Sequence, residues 1–335
     1  MLELVSRGGA YRFGFLLIPN FSLIALTAAV ESLRLANRAS GEELYAWRLL
    51  SADGEAVESS SGIQLGVDGP LRGDDEIATI FVCGGADIHQ VADRGERPRL
   101  RRLARRGVGI GALCTGTHLL ARAGLLDGYR CTIHWESLVG FVEEFPEIEI
   151  SAQVFEIDRN RYTCAGGTAV VDMMLELIQS QHGHELAAEV AEQFIHERIR
   201  DPSDHQRLSL PGRIGVRHPK LLTIIESMEK HLEEPLNRAE LARRAGLSTR
   251  QLERLFRKYL NRSPARYYLE LRLRRARLLL LQTNMSVMNV ALACGFVSAS
   301  HFTKCYRAFF ACTPYRERGQ PKAQSARQSG AAVTG

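Results

Sequence analysis

Two stretches of this sequence are alike: LNRAELARRAGLSTRQLERLFRKYLNRSP at residues 236–264 and MSVMNVALACGFVSASHFTKCYRAFFACTP at residues 285–314. Each contains a glycine, then a serine, then apolar residues at helical spacing, and each closes with a proline. From Ser248 onward the offset between matching residues is a constant 50 positions, so that Ser248 matches Ser298 and Pro264 matches Pro314. A constant offset predicts that one supersecondary unit occurs twice.

Each copy has the signals that a pair of short helices requires. Asn237 and Ser286 are suited to cap the first helices, and the following glycines can adopt the positive φ of a tight turn. Ser248, with Gln251 three residues later, forms a capping-box pattern that starts a second helix. The sequence therefore predicts a helix-turn-helix in each copy.

The second helix of each copy carries outward side chains that can read base edges in a DNA major groove. They are Thr249, Arg250, Glu253, Arg254 and Arg257 in the first copy and Ser298, Ser300, His301 and Lys304 in the second. A basic helix exposed to solvent would look similar, but two copies favour the DNA interpretation. Residues 265–282 between them predict one long helix, which would hold both units at a fixed separation. Both recognition helices could then enter successive major grooves, about 34 Å apart.

The second copy carries the motifs of a known family. They are Ala-Leu-Ala-Cys-Gly-Phe at 291–296, Ser-His-Phe at 300–302, Tyr306, Phe309, Phe310 and the pair Thr313-Pro314. Together they resemble the C-terminal signature of the AraC-family DNA-binding domain. Ala311 departs from it, since the family usually has glycine there. Asn261, at the equivalent position of the first copy, tolerates a left-handed backbone, whereas Ala311 implies local strain or a different cap.

Charge is distributed unevenly along the chain. Residues 217–320 hold 20 Lys and Arg against 8 Asp and Glu, a net +12, whereas residues 1–216 hold 21 against 30, a net −9. A basic C-terminal third and an acidic N-terminal body are expected of a protein that binds a polyanion through one end.

Several classes of protein are disfavoured by composition. Residues 1–10 do not resemble a signal peptide, and charges interrupt every apolar run, so we expect a cytoplasmic protein with no membrane partner. The seven cysteines show no CxxC spacing. We therefore expect reduced thiols, no disulfide framework, and neither a metal nor a cofactor.

The N-terminal part alternates strand and helix patterns, which predicts a doubly wound α/β domain with a mostly parallel sheet. Predicted strands include 11–18, 45–50, 77–83, 108–113, 129–132 and 162–167. Predicted helices include 21–36, 97–106, 115–123, 168–181 and 185–199. Residues 63–67 are predicted to be part of a hairpin. We expect this domain to span 1–202 and a linker to span 203–219. The all-α domain with two helix-turn-helix units is expected at 220–318, followed by a disordered tail at 319–335.

Cys114 follows the predicted strand 108–113 directly and precedes a predicted helix. The carboxyl ends of parallel strands are where ligands bind in such folds. Cys114 is thus expected on a sharp strand-to-helix turn, where a helix N-terminus lowers a thiol pKa and backbone N–H groups can hold an anion. A buried cysteine that only fills space is the less favoured alternative.

Motifs around this turn resemble the PfpI-type branch of the class I glutamine amidotransferase-like superfamily. They are Ala-Leu-Cys-Thr-Gly at 112–116, Ala-Gly-Leu-Leu-Asp-Gly at 123–128, Thr-Ile-His-Trp at 132–135, Phe81 to Gly85 and Pro19 to Asn37. The resemblance implies that an acid on the first helix reaches the cysteine, and Glu31 is the expected residue. Together with Glu31, the candidate effector-binding residues are Gly85, Cys114, Thr115, His134 and Trp135.

The resemblance leaves enzyme and sensor as alternatives. A cysteine hydrolase needs a base beside its thiolate, but Thr115 stands where protease-like members have histidine, and no His–Glu pair is recognisable. The Cys-Thr-Gly sequence is similar to isonitrile hydratases, which use an acid instead. An attached DNA-binding domain favours a sensor without catalytic residues, and an isonitrile hydratase-like or amidase-like enzyme is the alternative.

The two resemblances cover nearly the whole chain, in an order known from AraC-family regulators with an amidotransferase-like sensor domain. Such proteins regulate catabolism of arginine, carnitine or glycine betaine. The resemblance thus implies a sequence-specific transcription regulator, expected to be a homodimeric activator that works with RNA polymerase. Its expected ligands are double-stranded DNA and a small amino acid or quaternary amine.

Overall fold

The computed structural model describes residues 9–85, 88, 95–196, 198–201 and 204–319. The chain divides into two compact units: unit 1 ends at Arg207 and unit 2 begins at Leu208. Of the tail expected from residue 319 onward, residues 320–335 lie outside the described part.

Unit 1 is built on a seven-stranded sheet with the order β10-β11-β7-β6-β1-β2-β5. These strands are β1 Tyr11–Leu17, β2 Tyr45–Ser51, β5 Gly69–Pro70, β6 Thr79–Cys83, β7 Gly109–Leu113, β10 Phe155–Asp158 and β11 Arg161–Cys164. Neighbouring strands are parallel except for β10, which is antiparallel to β11. Two small sheets flank it: β3 Val57–Glu58 with β4 Gln64–Leu65, the predicted hairpin, and β8 Cys131–Thr132 with β9 Ile150–Ser151.

Helices cover both faces of this sheet. They are α1 Leu23–Ser40, α2 Glu96–Arg105, α3 Thr117–Arg122, α4 Leu138–Glu144, α5 Ala169–His182 and α6 His184–Gln193. One buried cluster joins the sheet to α1, α5 and α6, and a second joins the other face to α2 and α3. Because β6 and β7 are buried on both sides, they are continuous apolar runs, as parallel strands covered by helices must be. The predicted doubly wound α/β fold is confirmed.

The prediction for the last helix of unit 1 was too long. It was expected to reach residue 199, but α6 ends at Gln193 because Ile195 has a left-handed backbone with φ of 54°. A β-branched residue in that conformation ends a right-handed helix.

Unit 2 is all-helical. Its helices are α7 Leu210–Ile214, α8 Pro219–Lys230, α9 Arg238–Arg244, α10 Thr249–Leu260, α11 Pro264–Gln282, α12 Val287–Ala293, α13 Ala299–Phe310 and α14 Pro314–Gly319. The pairs α9–α10 and α12–α13 are the two predicted helix-turn-helix units, and α11 is the predicted connecting helix. Asn237, Ser286 and the Ser248–Gln251 capping box all make the predicted helix-capping hydrogen bonds.

The expected linker contains a helix of unit 2. Within 203–219, α7 buries Leu210 in a cluster with α8. Pro211 lies in its first turn and Gly215 ends it with φ of 69°. The residues that suggested an unstructured segment are thus the start and stop residues of a short helix.

Candidate functional sites

Helix α10 of the first helix-turn-helix unit presents a charged face to solvent. Thr249, Arg250, Arg254 and Arg257 are exposed, whereas Leu252 and Phe256 are fully buried on the opposite side. The four exposed residues lie where sequence analysis placed contacts to DNA. Because the apolar side is fixed in the core, α10 is held rigidly with its polar side available.

Two other groups modify this face. Glu253, also a candidate for DNA contact, is only partly exposed, and its carboxylate lies 3.4 Å from the Arg238 guanidinium. The Lys220 ammonium donates a hydrogen bond to the Gly246 carbonyl at the turn. A residue from α8 thus braces the turn before α10.

Helix α13 of the second unit has the same orientation relative to its core but a different surface. Ser300, His301 and Lys304 are exposed, and the Ser298 hydroxyl accepts a hydrogen bond from the His301 N–H at 3.3 Å. The oxygen of Ser298 therefore caps the helix. Where α10 exposes three arginines among its candidate residues, α13 exposes one lysine and one histidine.

The turn of the second unit is held by Arg272 on α11. Its guanidinium donates to the Cys294 and Gly295 carbonyls, both at 2.7 Å, and lies 4.2 Å from the centre of the Phe296 ring. Burial lowers the pKa of Arg272 from its usual range. The sequence does not predict this contact. Helix α11 contains five arginines, and nothing in the sequence indicates that Arg272 points inward.

The two recognition helices end alike. Asn261 has φ of 52° and Ala311 has φ of 57°, and both are left-handed C-caps. Of the two alternatives for Ala311, local strain is therefore correct and a different cap is wrong. For an L-residue other than Asn or Asp, this conformation costs about 1–2 kcal/mol.

In unit 1, Cys114 lies at the turn after β7 with φ of 61°. Its N–H donates to the Cys164 carbonyl at 2.9 Å, and its carbonyl accepts from the His134 N–H at 3.4 Å. The loop after β11 also presses on it, because a Cβ at Gly166 would lie 2.7 Å from the Cys114 Cβ. Cys114 is thus on the predicted sharp turn at the carboxyl edge of the sheet, and its positive φ makes that turn strained.

The predicted activation of this thiol is wrong. Burial raises the pKa of Cys114 to about 11; the Thr115 N–H opposes this shift, and the negative charge of Glu136 adds to it. The helix that was expected to begin at 115 begins at Thr117 and has six residues. A short helix that starts later contributes little positive potential at the sulfur. The thiol is therefore protonated at neutral pH.

The turn after β6 packs tightly on this elbow. The buried Thr115 hydroxyl donates to the Gly85 carbonyl at 2.5 Å, and a Cβ at Gly85 would lie 1.6 Å from the Asn20 carbonyl oxygen. The Thr115 side chain and Gly85 thus hold two loops together. The Gly116 N–H is bound to the Leu113 carbonyl, which leaves the Thr115 N–H facing the thiol.

Glu31 does not make its expected contact with Cys114. Its carboxylate is paired with Arg34 at 2.6 Å on an exposed face of α1. The start of α1 is what lies against the elbow, since the Ser22 N–H donates to the Gly84 carbonyl at 3.0 Å. Glu31 is the ninth residue of that helix, about 12 Å further along its axis.

The acid near the thiol is Glu136 instead. Glu136 raises the pKa values of both Cys114 and His134 by its charge, although burial is the larger influence and lowers that of His134. Trp135 is 38% exposed, and its ring centre is 5.5 Å from that of His134. In the sequence, only the position of Glu136 directly after His134 and Trp135 indicates that it lies near the thiol. The sequence does not show which charged or titratable groups Glu136 faces.

A separate cavity of about 230 Å³ opens at the carboxyl ends of β1 and β2. Asp53, Glu55, Glu58 and Glu96 contribute to its lining. The described residues contain no group of three or more His, Cys, Asp or Glu side chains placed to hold a metal ion. None of the seven cysteines, all in the described ranges, forms a disulfide.

Within these ranges, no helix has both the length and the apolar character that a membrane span needs.

Known families match both units. The DJ-1/PfpI family matches residues 13–180, and a helix-turn-helix domain family matches residues 241–320. The crystal structure of an AraC family transcriptional regulator from Pseudomonas putida superposes with a TM-score of 0.51 at 32% identity, covering 55% of this chain and 99% of that one.

Two relatives match nearly the full length. HTH-type transcriptional regulator GbdR of Pseudomonas aeruginosa is 52% identical over 312 residues, which cover 93% of this chain and 85% of GbdR. HTH-type transcriptional regulator CdhR of the same species is 47% identical over 306 residues, covering 91% of each chain. Both are named as regulators rather than as enzymes.

Proposed function

Because this chain belongs to the AraC-type helix-turn-helix transcriptional regulators that carry a DJ-1/PfpI domain, we propose that a small effector bound beside Cys114 controls its binding to operator DNA. The chain is a DNA-binding transcription regulator. The proposal concerns where the effector binds, what its chemistry is and which residues read the operator.

The observation that carries the proposal is the juxtaposition of Cys114, His134, Trp135 and Glu136 at the carboxyl edge of the sheet. A half-exposed indole and a carboxylate together favour a cationic group, since an aromatic face attracts ammonium and guanidinium ions. The partly buried His134 has a lowered pKa and is neutral at pH 7. The site therefore suits the cationic end of an amino acid or a quaternary amine.

A sensor is favoured over an enzyme at this site. A nucleophilic cysteine needs a thiolate, and both burial and Glu136 disfavour one here. The N–H groups of Cys114 and Gly116 bind backbone carbonyls, so neither is available to a tetrahedral intermediate. The same residues can still enclose a ligand without reacting with it.

The DNA-reading residues in the proposal are those that α10 and α13 expose. Arg250 and Arg254 are expected to contact bases, and Arg257 a phosphate. Ser300, His301 and Lys304 are expected to read the second half of the site. We further propose that the protein acts in the cytoplasm as a homodimeric activator that contacts RNA polymerase, as the family resemblance implies.

The test is an effector screen by thermal shift on the full chain, with glycine betaine, carnitine, arginine and glycine as probes. A probe at 100 times its Kd should stabilise the protein by about 2.7 kcal/mol. Trp135→Ala should weaken binding of that probe by about 0.5–2 kcal/mol. Trp135→Phe, which keeps an aromatic face, is the matched control.

Cys114→Ser should retain probe binding, and the wild-type protein should show no turnover of the bound probe. Turnover that disappears in Cys114→Ser would establish the enzyme instead. Should Trp135→Ala bind the probe normally and Glu58→Gln not, the acid-lined cavity at β1 and β2 would be the effector site.

A further inference from the structure

The last residues of unit 1 lie against the proposed effector site. We call residues 198–207 the exit segment, of which 198–201 and 204–207 are described, because Leu208 begins unit 2. Arg200 forms its first anchor, where the guanidinium donates to Asp172 and to the Thr168 hydroxyl, both at 2.8 Å. Asp172 is fully buried, and Thr168 follows the Gly166–Gly167 loop that presses on Cys114.

The second anchor is Gln206. Its side-chain NH₂ donates to the Thr132 hydroxyl at 2.9 Å and to the carbonyls of Ile133 and Gln153 at 3.0 and 2.8 Å. Thr132 and Ile133 directly precede His134 and Trp135. The exit segment is thus fastened on both sides of the elbow, once near Gly166 and once at the strand that leads to Trp135.

The final residue of the segment places a cation on the indole. The Arg207 guanidinium carbon lies 4.6 Å from the centre of the Trp135 ring. This is the ring that the proposed function assigns to the cationic end of the effector. A second cation cannot approach the same face while Arg207 lies there, because Arg207 covers that face and like charges repel.

We propose that Arg207 occupies the cation subsite of the effector-free protein, and that an ammonium, quaternary ammonium or guanidinium group of the effector displaces it. This inference rests on the proposed function. Displacement takes the residue that immediately precedes unit 2 off the Trp135 ring, so occupancy of the site changes how the chain leaves unit 1. Arg207 is therefore both an internal competitor of the effector and the link to the DNA-binding unit.

The strengths of the anchors agree with this role. Arg200 binds a fully buried carboxylate and is expected to remain in place, since breaking such a pair leaves a charge uncompensated. Arg207 is exposed and its cation–π contact with the exposed Trp135 ring is weak, so the cation of a ligand can compete with it for the ring. A contact made only in the effector-free state also shifts the population toward that state.

The experiment uses the full chain with Trp47→Phe, which leaves Trp135 as the only tryptophan. Binding of glycine betaine, tetramethylammonium and arginine is followed by Trp135 fluorescence, and DNA binding by anisotropy with and without the probe. Arg207→Met should tighten probe binding about two- to fivefold and shift effector-free DNA binding toward its effector-bound value. Arg207→Lys retains a cation and should stay near wild type.

Arg159→Met is the matched control, because Arg159 lies 3.7 Å over the Tyr129 ring on the same unit but outside the exit segment. It should change neither readout. If Arg207→Met matches Arg159→Met while the probe still binds at Trp135, the displacement of Arg207 is wrong and the proposed function stands. If no probe perturbs Trp135 in the wild type, both proposals fail.

Discussion

The two helix-turn-helix units have the same fold but differ in what holds the turn and what faces outward. The first unit has an open turn, since a Cβ at Gly246 would meet nothing within 4 Å, and its recognition helix α10 exposes Arg250, Arg254 and Arg257. In the second unit, a Cβ at Gly295 would meet Pro235 at 2.6 Å. The comparison indicates that the second unit is fixed more tightly to the rest of unit 2, and it predicts that the first unit makes more of the contacts to DNA.

The largest expected difference between the two units is in how much the protein is destabilised when the glycine of the turn is replaced by alanine. Gly295→Ala should cost about 3 kcal/mol, because it combines a left-handed alanine with overpacking against the Pro235 ring and the Glu233 carbonyl oxygen. Gly246→Ala has only the first cost, about 1 kcal/mol. Urea unfolding followed by circular dichroism measures both, with tryptophan fluorescence as the control for unit 1, which holds both tryptophans. Equal losses of stability in the two variants would show that Pro235 and Glu233 move aside for the added methyl group at no cost in free energy.

A second difference is expected in DNA recognition. Arg254→Ala should cost about 1–3 kcal/mol on the cognate operator and little on random DNA, because a bidentate arginine–guanine contact is lost. Lys304→Ala in the second unit should cost less and discriminate less, since α13 exposes fewer cations. Fluorescence anisotropy at fixed salt measures the loss of binding free energy for each of the two variants on the operator and on random DNA. Equal losses for Arg254→Ala on both DNAs would reduce it to a phosphate contact, and a footprint confined to one major groove would argue against insertion of α13.

The smallest difference is expected at the helix ends. Ala311→Gly should stabilise unit 2 by about 0.5–1 kcal/mol, because glycine removes the steric cost of the left-handed φ of 57°. Asn261→Gly should change stability by less, since asparagine already tolerates this conformation. The same unfolding measurement gives both values. A destabilising Ala311→Gly would mean that the alanine methyl group makes a contact worth more than the strain.

Local structure was predicted well from the sequence where a residue's own chemistry decides the conformation of its backbone. Ser248 and Gln251 form a capping box in any helix that starts there, and the apolar runs of β6 and β7 need cover on both faces whatever covers them. The sharp turn at Cys114 was also predicted, because a parallel strand must turn sharply into the helix that follows it.

Charge partners could not be predicted in this way. Glu31 was expected near Cys114 by family resemblance, but helical rise carries it away from the elbow and Arg34 neutralises it. Glu136 acts on Cys114 across 22 positions of sequence, and Arg207 reaches Trp135 across 72. Such pairs form only when separate elements meet, and sequence periodicity carries no information about them.

The sequence by itself determined the order of the two units, the repeat, the helix caps and the outward arginines of α10, because each follows from local sterics, hydrogen bonding and hydrophobic periodicity. Only the tertiary structure decided that the Cys114 thiol is protonated, that Glu136 is its acidic neighbour and that the exit segment places Arg207 on Trp135. Those outcomes depend on desolvation and on distances between elements far apart in the chain, which packing alone sets.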